Sequence, residues 1–150
     1  MDDDLFAYPF LFLTGHGNIS FSEAEVARLR LYLESGGFLH ADDDYGMDKS
    51  FRREMKRVFP SKRFVELPPD HGIFHCRFEL PDGCPKIHEH DGKRAQLLGL
   101  FVGQRLAVVY SYQTDLGDGW EDPDAHGDPP AKRRAALEMG TNIVVWALSH

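Results

Sequence analysis

The 150-residue sequence predicts an α/β fold with a mostly parallel sheet. Three observations carry that expectation. Residues 8–14, from Tyr8 to Thr14, are apolar on both faces, as a buried parallel strand is. Residues 8–41 then read strand, helix, strand, the unit that crosses over to a parallel neighbour. Polar clusters at residues 15–18, 42–46 and 115–122 each follow an apolar, strand-like run, the pattern of a site at the carboxyl rim of such a sheet.

Taken in order, the first strand ends in the turn Gly15-His16-Gly17-Asn18. Ser20 or Ser22 can cap the next helix, with Glu23 and Glu25 in its first turn, where the helix dipole favours acids. Val26, Leu29 and Leu33 recur at helical spacing, and Gly36-Gly37 ends the helix after Ser35. Residues 38–41 form a second strand leading into Asp42-Asp43-Asp44. Residues 49–59 read as a basic amphipathic helix with Phe51, Met55, Val58 and Phe59 on its apolar side, ended by Pro60. Residues 64–67 and 76–80 are short strand candidates separated by a Pro-Pro turn, and residues 97–102 and 106–112 form a hairpin through Gly103-Gln104. A loop spans residues 113–128, and loops that long in a compact domain are functional or disordered. Pro129-Pro130 opens a last helix whose Ala135, Leu137, Met139, Ile143, Val144 and Trp146 are expected to pack on the sheet. With no repeat and no linker, residues 1–150 are expected to form one domain.

Composition narrows the function classes. Hydrophobic residues make up 42% and charged residues 27%, ordinary for a globular protein. A formal net charge of -7 argues against a nucleic-acid partner. No apolar run is long enough for a membrane span, so direct membrane insertion is not expected. Met1 precedes three aspartates, the opposite of a basic leader segment. The chain as given therefore reads as cytoplasmic, and as periplasmic or exported if a leader was removed. Cys76 and Cys84 flank the turn Pro81-Asp82-Gly83 and are open to a disulfide; neither sits in a strand-to-helix elbow that would make a nucleophile, and no CxxC pair offers a sulfur-based zinc site.

The richest stretch is Pro85-Lys86-Ile87-His88-Glu89-His90-Asp91-Gly92. In an extended strand His88 and His90 point the same way, and two same-side imidazoles suit a metal ion or a proton. The plainer alternative is a surface loop with hydrogen-bonded imidazoles. A metal site needs a further ligand, for which His16 and Asp42 or Asp44 are the candidates because they follow strands. The catalytic candidates are thus His16, Asp42, His88 and His90, and the metal candidates His16, Asp44, His88 and His90, with a divalent ion such as zinc as the cofactor. Asn18, Tyr45, Asp115, Asp118 and Trp120 are candidates to bind an unidentified small-molecule ligand. The 115–120 loop lacks the twelve-residue calcium pattern. Arg52 and Arg53 read as solvated, and His40, His71 and His75 as structural.

Several runs together carry a resemblance: Leu13-Thr14-Gly15-His16-Gly17-Asn18, Asp42-Asp43-Asp44-Tyr45-Gly46, Phe51-Arg52-Arg53-Glu54, Lys86-Ile87-His88-Glu89-His90-Asp91-Gly92, Tyr110-Ser111-Tyr112-Gln113-Thr114-Asp115-Leu116-Gly117-Asp118-Gly119-Trp120-Glu121, His126-Gly127-Asp128-Pro129-Pro130 and Met139-Gly140-Thr141-Asn142-Ile143. In this order they resemble the bacterial family catalogued as domain of unknown function 4159, over essentially the whole chain. That family is similar to the class I glutamine-amidotransferase-like superfamily, which implies a flavodoxin-like three-layer sandwich around a parallel sheet. Relatives often belong to larger bacterial proteins, some with export signals or membrane segments. Two departures follow. No elbow cysteine is present, so glutaminase activity is not expected. The resemblance also implies an upstream strand–helix–strand unit that this chain lacks, leaving the Tyr8-to-Thr14 edge to pair with a second copy in a homodimer or to be covered by residues 1–7. Two functions remain: a metal- or His/Asp-assisted hydrolase with its pocket at the strand carboxyl ends, and a non-catalytic ligand-binding or assembly module.

Overall fold

The computed structural model describes residues 7–89, 92–121 and 123–150. Strand β1 (Phe10–Gly15) leads through helix α1 (Glu23–Glu34) to β2 (Phe38–Asp43), and helix α2 (Asp48–Val58) follows. The short β3 (Val65–Glu66) precedes the hairpin of β4 (Gln96–Val102) and β5 (Arg105–Tyr112). After β5 come a 3-10 turn (Gly117–Trp120), the one-turn helix α3 (Pro123–His126) and the long helix α4 (Pro130–Ser149). The strands lie in one open sheet in the order β1-β2-β5-β4-β3.

Local chemistry explains most of these boundaries. Of the two serines, Ser22 caps α1: its Oγ accepts from the Glu25 amide at 3.1 Å while Glu25 accepts from the Ser22 amide at 2.9 Å. The β4–β5 hairpin turns through Gly103, at φ 62°, so that Val102 faces Arg105. That tight turn corrects the expected mostly parallel sheet. β1, β2 and β5 pair parallel, but β4 pairs antiparallel with β5, because a connection this short can only reverse the chain, and β3 pairs antiparallel with β4.

Two other expectations give way. Residues 76–80 are not a strand. Asn142 of α4, fully buried, accepts from the amides of Arg77 at 3.2 Å and Phe78 at 2.9 Å and donates to the Phe78 carbonyl at 2.9 Å. One side chain thus satisfies the backbone groups that a neighbouring strand would have taken. Residues 8–14 are not covered on both faces. β1 is the terminal strand, its described edge away from β2 pairs with no described strand, and Phe12 stays 42% exposed. The expected cover by residues 1–7 lies mostly outside the described residues.

Strand alternation sorts the core into two faces. Leu39, Ala41, Val108 and Tyr110 pack against α1 and α2, with Leu33, Phe51 and Met55. Phe38, Leu97 and Val109 pack against α4, with Ala136, Met139 and Ile143, and against a 3-10 turn at Gly72–Phe74. Cys76 and Cys84 are free thiols, not a disulfide. Among the described residues no helix is long and apolar enough to cross a membrane.

Candidate functional site

The parallel strands β1, β2 and β5 end together, at Gly15, Asp43 and Tyr112, and the polar groups gather just beyond them. Past β1, His16 sets Nδ1 at 3.0 Å from the Asp44 carbonyl and 3.2 Å from its carboxylate. The carbonyl bond and then the Asp44 charge raise the imidazole pKa, with smaller pushes from Asp118 and Asp115. Asp44 is itself raised, first by burial and then by a hydrogen bond to, and the charge of, the Asp118 carboxyl, as two carboxyls sharing a proton require.

His88 is the centre of the cluster. Ile87 just before it is a core residue, its amide donating to the Thr114 carbonyl at 2.7 Å and its carbonyl accepting from Lys132 at 3.1 Å. So anchored, His88 presents Nε2 to Asp128 at 2.7 Å and Nδ1 to Asp115 at 3.0 Å and Asp118 at 3.4 Å. Burial lowers the imidazole pKa, but the bonds and charges of Asp128 and Asp115 outweigh it and the net shift is upward. Asp115 is 2% exposed and adopts a left-handed φ of 56°. Strained backbone of that kind persists where the surroundings demand it, often at binding sites.

Next to His88 stands His126, its ring centre 5.4 Å away. Its Nε2 lies 3.0 Å from Glu121 and 3.6 Å from Asp118. Two sets of side chains bring their ligand atoms within 4.8 Å of one another: His88, Asp115 and Asp118, and Asp118, Glu121 and His126. A carboxylate–imidazole–carboxylate arrangement such as Asp128–His88–Asp115 matches the outer-sphere pattern that fixes a ligating histidine's tautomer.

The remaining sequence candidates lie elsewhere. Asp42 is 1% exposed, and its carboxylate accepts from Ser111 at 2.6 Å and from the amides of Leu116 at 3.2 Å and Gly117 at 2.8 Å. It pins the 3-10 turn from behind. Burial pushes its pKa up to about 7 against those bonds. Asn18 accepts from Arg53 at 3.3 Å, clasping the β1 turn to α2. Trp120 donates to the Ala136 carbonyl at 2.7 Å and packs on Gly140, tying the turn to α4. Tyr45 is half-exposed at a left-handed φ of 75°. His90 lies outside the described residues. Glu121, His126 and Asp128 were not candidates from sequence, though the run His126-Gly127-Asp128-Pro129-Pro130 drew notice.

The arrangement can hold a divalent cation or share protons among acids and imidazoles. Among curated proteins none matches the chain. A family model does match, as the sequence motifs led one to expect: over residues 1–148 the chain belongs to the family described as a domain of unknown function (DUF4159).

Proposed function

We propose that this domain is a metal-assisted hydrolase, its cation held by His88, Asp115 and Asp118 at the carboxyl ends of β1, β2 and β5. One observation carries the reading. His88 has carboxylates against both ring nitrogens, Asp128 at Nε2 and Asp115 and Asp118 at Nδ1, so that as a neutral ring protonated on Nε2 it would turn an Nδ1 lone pair toward two carboxylates. Three negative or lone-pair groups facing one another need a positive charge between them, either a proton or a metal ion. A divalent ion there would bring the pKa of a bound water down to about 7. His16, held against Asp44 and shifted upward from its ordinary pKa, stands on the same rim to take or give the proton.

Tag-free protein stripped with chelator and titrated with Zn2+ or Mn2+ tests this. Binding in the micromolar range or tighter is expected, with metal-dependent hydrolysis of a nitrophenyl ester or phosphate in a generic panel. Asp128→Asn should weaken metal binding about 10–100-fold, the usual cost of losing an outer-sphere partner. Absence of binding below millimolar metal would sink the proposal.

The amidotransferase-like, flavodoxin-like relationship belongs to the same proposal. The parallel β1-β2-β5 half, helices on both faces and a polar cluster at the strand carboxyl ends support it. With both cysteines off any strand-to-helix elbow, thiol-based glutaminase chemistry is not part of it. A second reading, an assembly module, is favoured by the β1 edge, where Tyr8 is 58% and Phe12 42% exposed; the homodimer would form there.

A further inference from the structure

The Asp118 carboxylate faces two imidazoles with two different oxygens. Its Oδ2 lies 3.4 Å from His88 Nδ1, and its Oδ1 lies 3.6 Å from His126 Nε2. Both separations are long for a hydrogen bond to nitrogen. They suit two atoms bound to a common ion: with bonds of about 2.0–2.1 Å in a tetrahedral site, neighbouring ligand atoms stand roughly 3.3 Å apart. Each of these imidazole nitrogens also makes a 3.0 Å hydrogen bond to a second carboxylate, Asp115 for His88 and Glu121 for His126, and an ion would take that carboxylate as its third ligand.

Local geometry explains why Asp118 and Glu121 share a face. The Glu121 amide donates to the Asp118 carbonyl at 3.3 Å at the end of the 3-10 turn, and residues three apart eclipse one another in such a turn. Arg133 donates to the Glu121 carbonyl at 3.2 Å and steadies that end. The partner half is steadied by Ile87 and by Asp128 behind His88.

Charge points the same way. Asp44, Asp115, Asp118, Glu121 and Asp128 carry a formal charge of -5 when ionised, with the imidazoles neutral. Fully ionised, the five would keep -3 with one divalent ion and -1 with two, so a second ion further relieves the repulsion in a cluster where Asp115 is buried, Asp44, Asp118 and Asp128 are partly buried and Glu121 is exposed.

We propose that the site is binuclear: a second divalent cation binds Asp118, Glu121 and His126, and the Asp118 carboxylate bridges it to the ion at His88 and Asp115. The inference rests on the metal site proposed above. Carboxylate-bridged pairs with ions roughly 3.5–4 Å apart clamp both the attacking and the leaving oxygen of a displacement, which makes hydrolysis of a phosphate ester the substrate class to try first.

The test is stoichiometry and magnetic coupling on the stripped, tag-free chain. Titration with Zn2+ against a chromophoric chelator should give about two equivalents per chain, and His126→Ala should reduce that to about one. In Mn2+-loaded wild type, electron paramagnetic resonance should show an exchange-coupled pair in place of isolated ions. His126 sits on a short surface helix, and the wild-type spectrum decides the matter if that variant fails to fold. One equivalent in the wild type overturns the second ion and leaves the His88 site standing. Two equivalents without coupling overturn the bridge. No binding removes this inference and the hydrolase reading together.

Discussion

His40 shows how a single side chain links the sheet to the site floor. It is buried at 1% exposure, and Ser111 spends its hydroxyl proton on Asp42 at 2.6 Å. Ser111 therefore accepts from His40 Nε2 at 2.9 Å, which fixes the neutral tautomer, and Nδ1 has no hydrogen-bond partner among the described residues. The rings of Phe12 and Trp120 flank it at 5.1 and 5.9 Å. Burial pushes its pKa down from 6.5 to about 3. The folded pKa is depressed, so its stability contribution is present above about pH 6.5 and is lost as pH falls toward 3, because the unfolded chain takes up the proton first. The slope from this one group is at most about 1.4 kcal/mol per pH unit. His40→Gln, which keeps a donor for Ser111, should flatten stability between pH 7 and 4, as read by urea denaturation; an unchanged slope would show that other groups set it. The sequence reading of His40 as structural rested on its apolar strand. Asp42 and Asp44 could not be separated that way, since alternation puts both on one side. Only the strand's end decides: Asp42 lies within β2 beneath the Leu116 and Gly117 amides, whereas Asp44 has passed it and reaches Asp118. His126 and Asp128 belong to a loop with no periodicity to read, and their place depends on where α3 and α4 dock.

At the scale of elements, the 3-10 turn bearing Asp118 is held by close packing on α4. A methyl at Gly140 would stand 2.7 Å from the Trp120 ring, and one at Gly119 would stand 2.5 Å from the Ala136 methyl. Glycine inside a helix ordinarily costs about 0.5–1 kcal/mol relative to alanine. Here the sign should reverse: Gly140→Ala is expected to destabilise by about 1–3 kcal/mol through overpacking and to weaken metal binding at Asp118. Thermal denaturation and a metal titration check both; a stabilised variant with unchanged affinity would show that Trp120 is free to move. The sequence located α4 from its proline pair, and the hairpin from its glycine, but not the packed face of α4: Leu137 and Val144, expected against the sheet, are 47% and 39% exposed, while Ala136 and Asn142 are buried. Residues 76–80 misled because their apolar side chains suit a strand, while the partner that satisfies their backbone, Asn142, lies more than sixty positions along the chain.

Across the whole molecule, the acidic rim and the open β1 edge make different demands, although they meet where Phe12 packs beside His40 and Trp120. β1 carries no charged residue within Phe10–Gly15, none of the lysines that commonly guard an exposed edge. Two copies related by a two-fold axis could join β1 to β1 without like-charge repulsion. Light scattering at low concentration is expected to report about twice the chain mass of 17.1 kDa, and Phe12→Lys should return it to a monomer. A monomeric wild type would count against the assembly reading and leave the metal proposal untouched. The tie between Trp120 and α4 has one more consequence. The chain has two tryptophans, and they sit in contrasting places. Trp146 stacks on His150 at 3.6 Å, near the far end of α4. Trp120 follows Asp118 by two residues and directly precedes Glu121, its indole fixed to the Ala136 carbonyl. Ultraviolet emission therefore divides into a steady background and a component next to the carboxylates, so the protein carries a built-in optical gauge of whatever occupies them, readable without any attached dye.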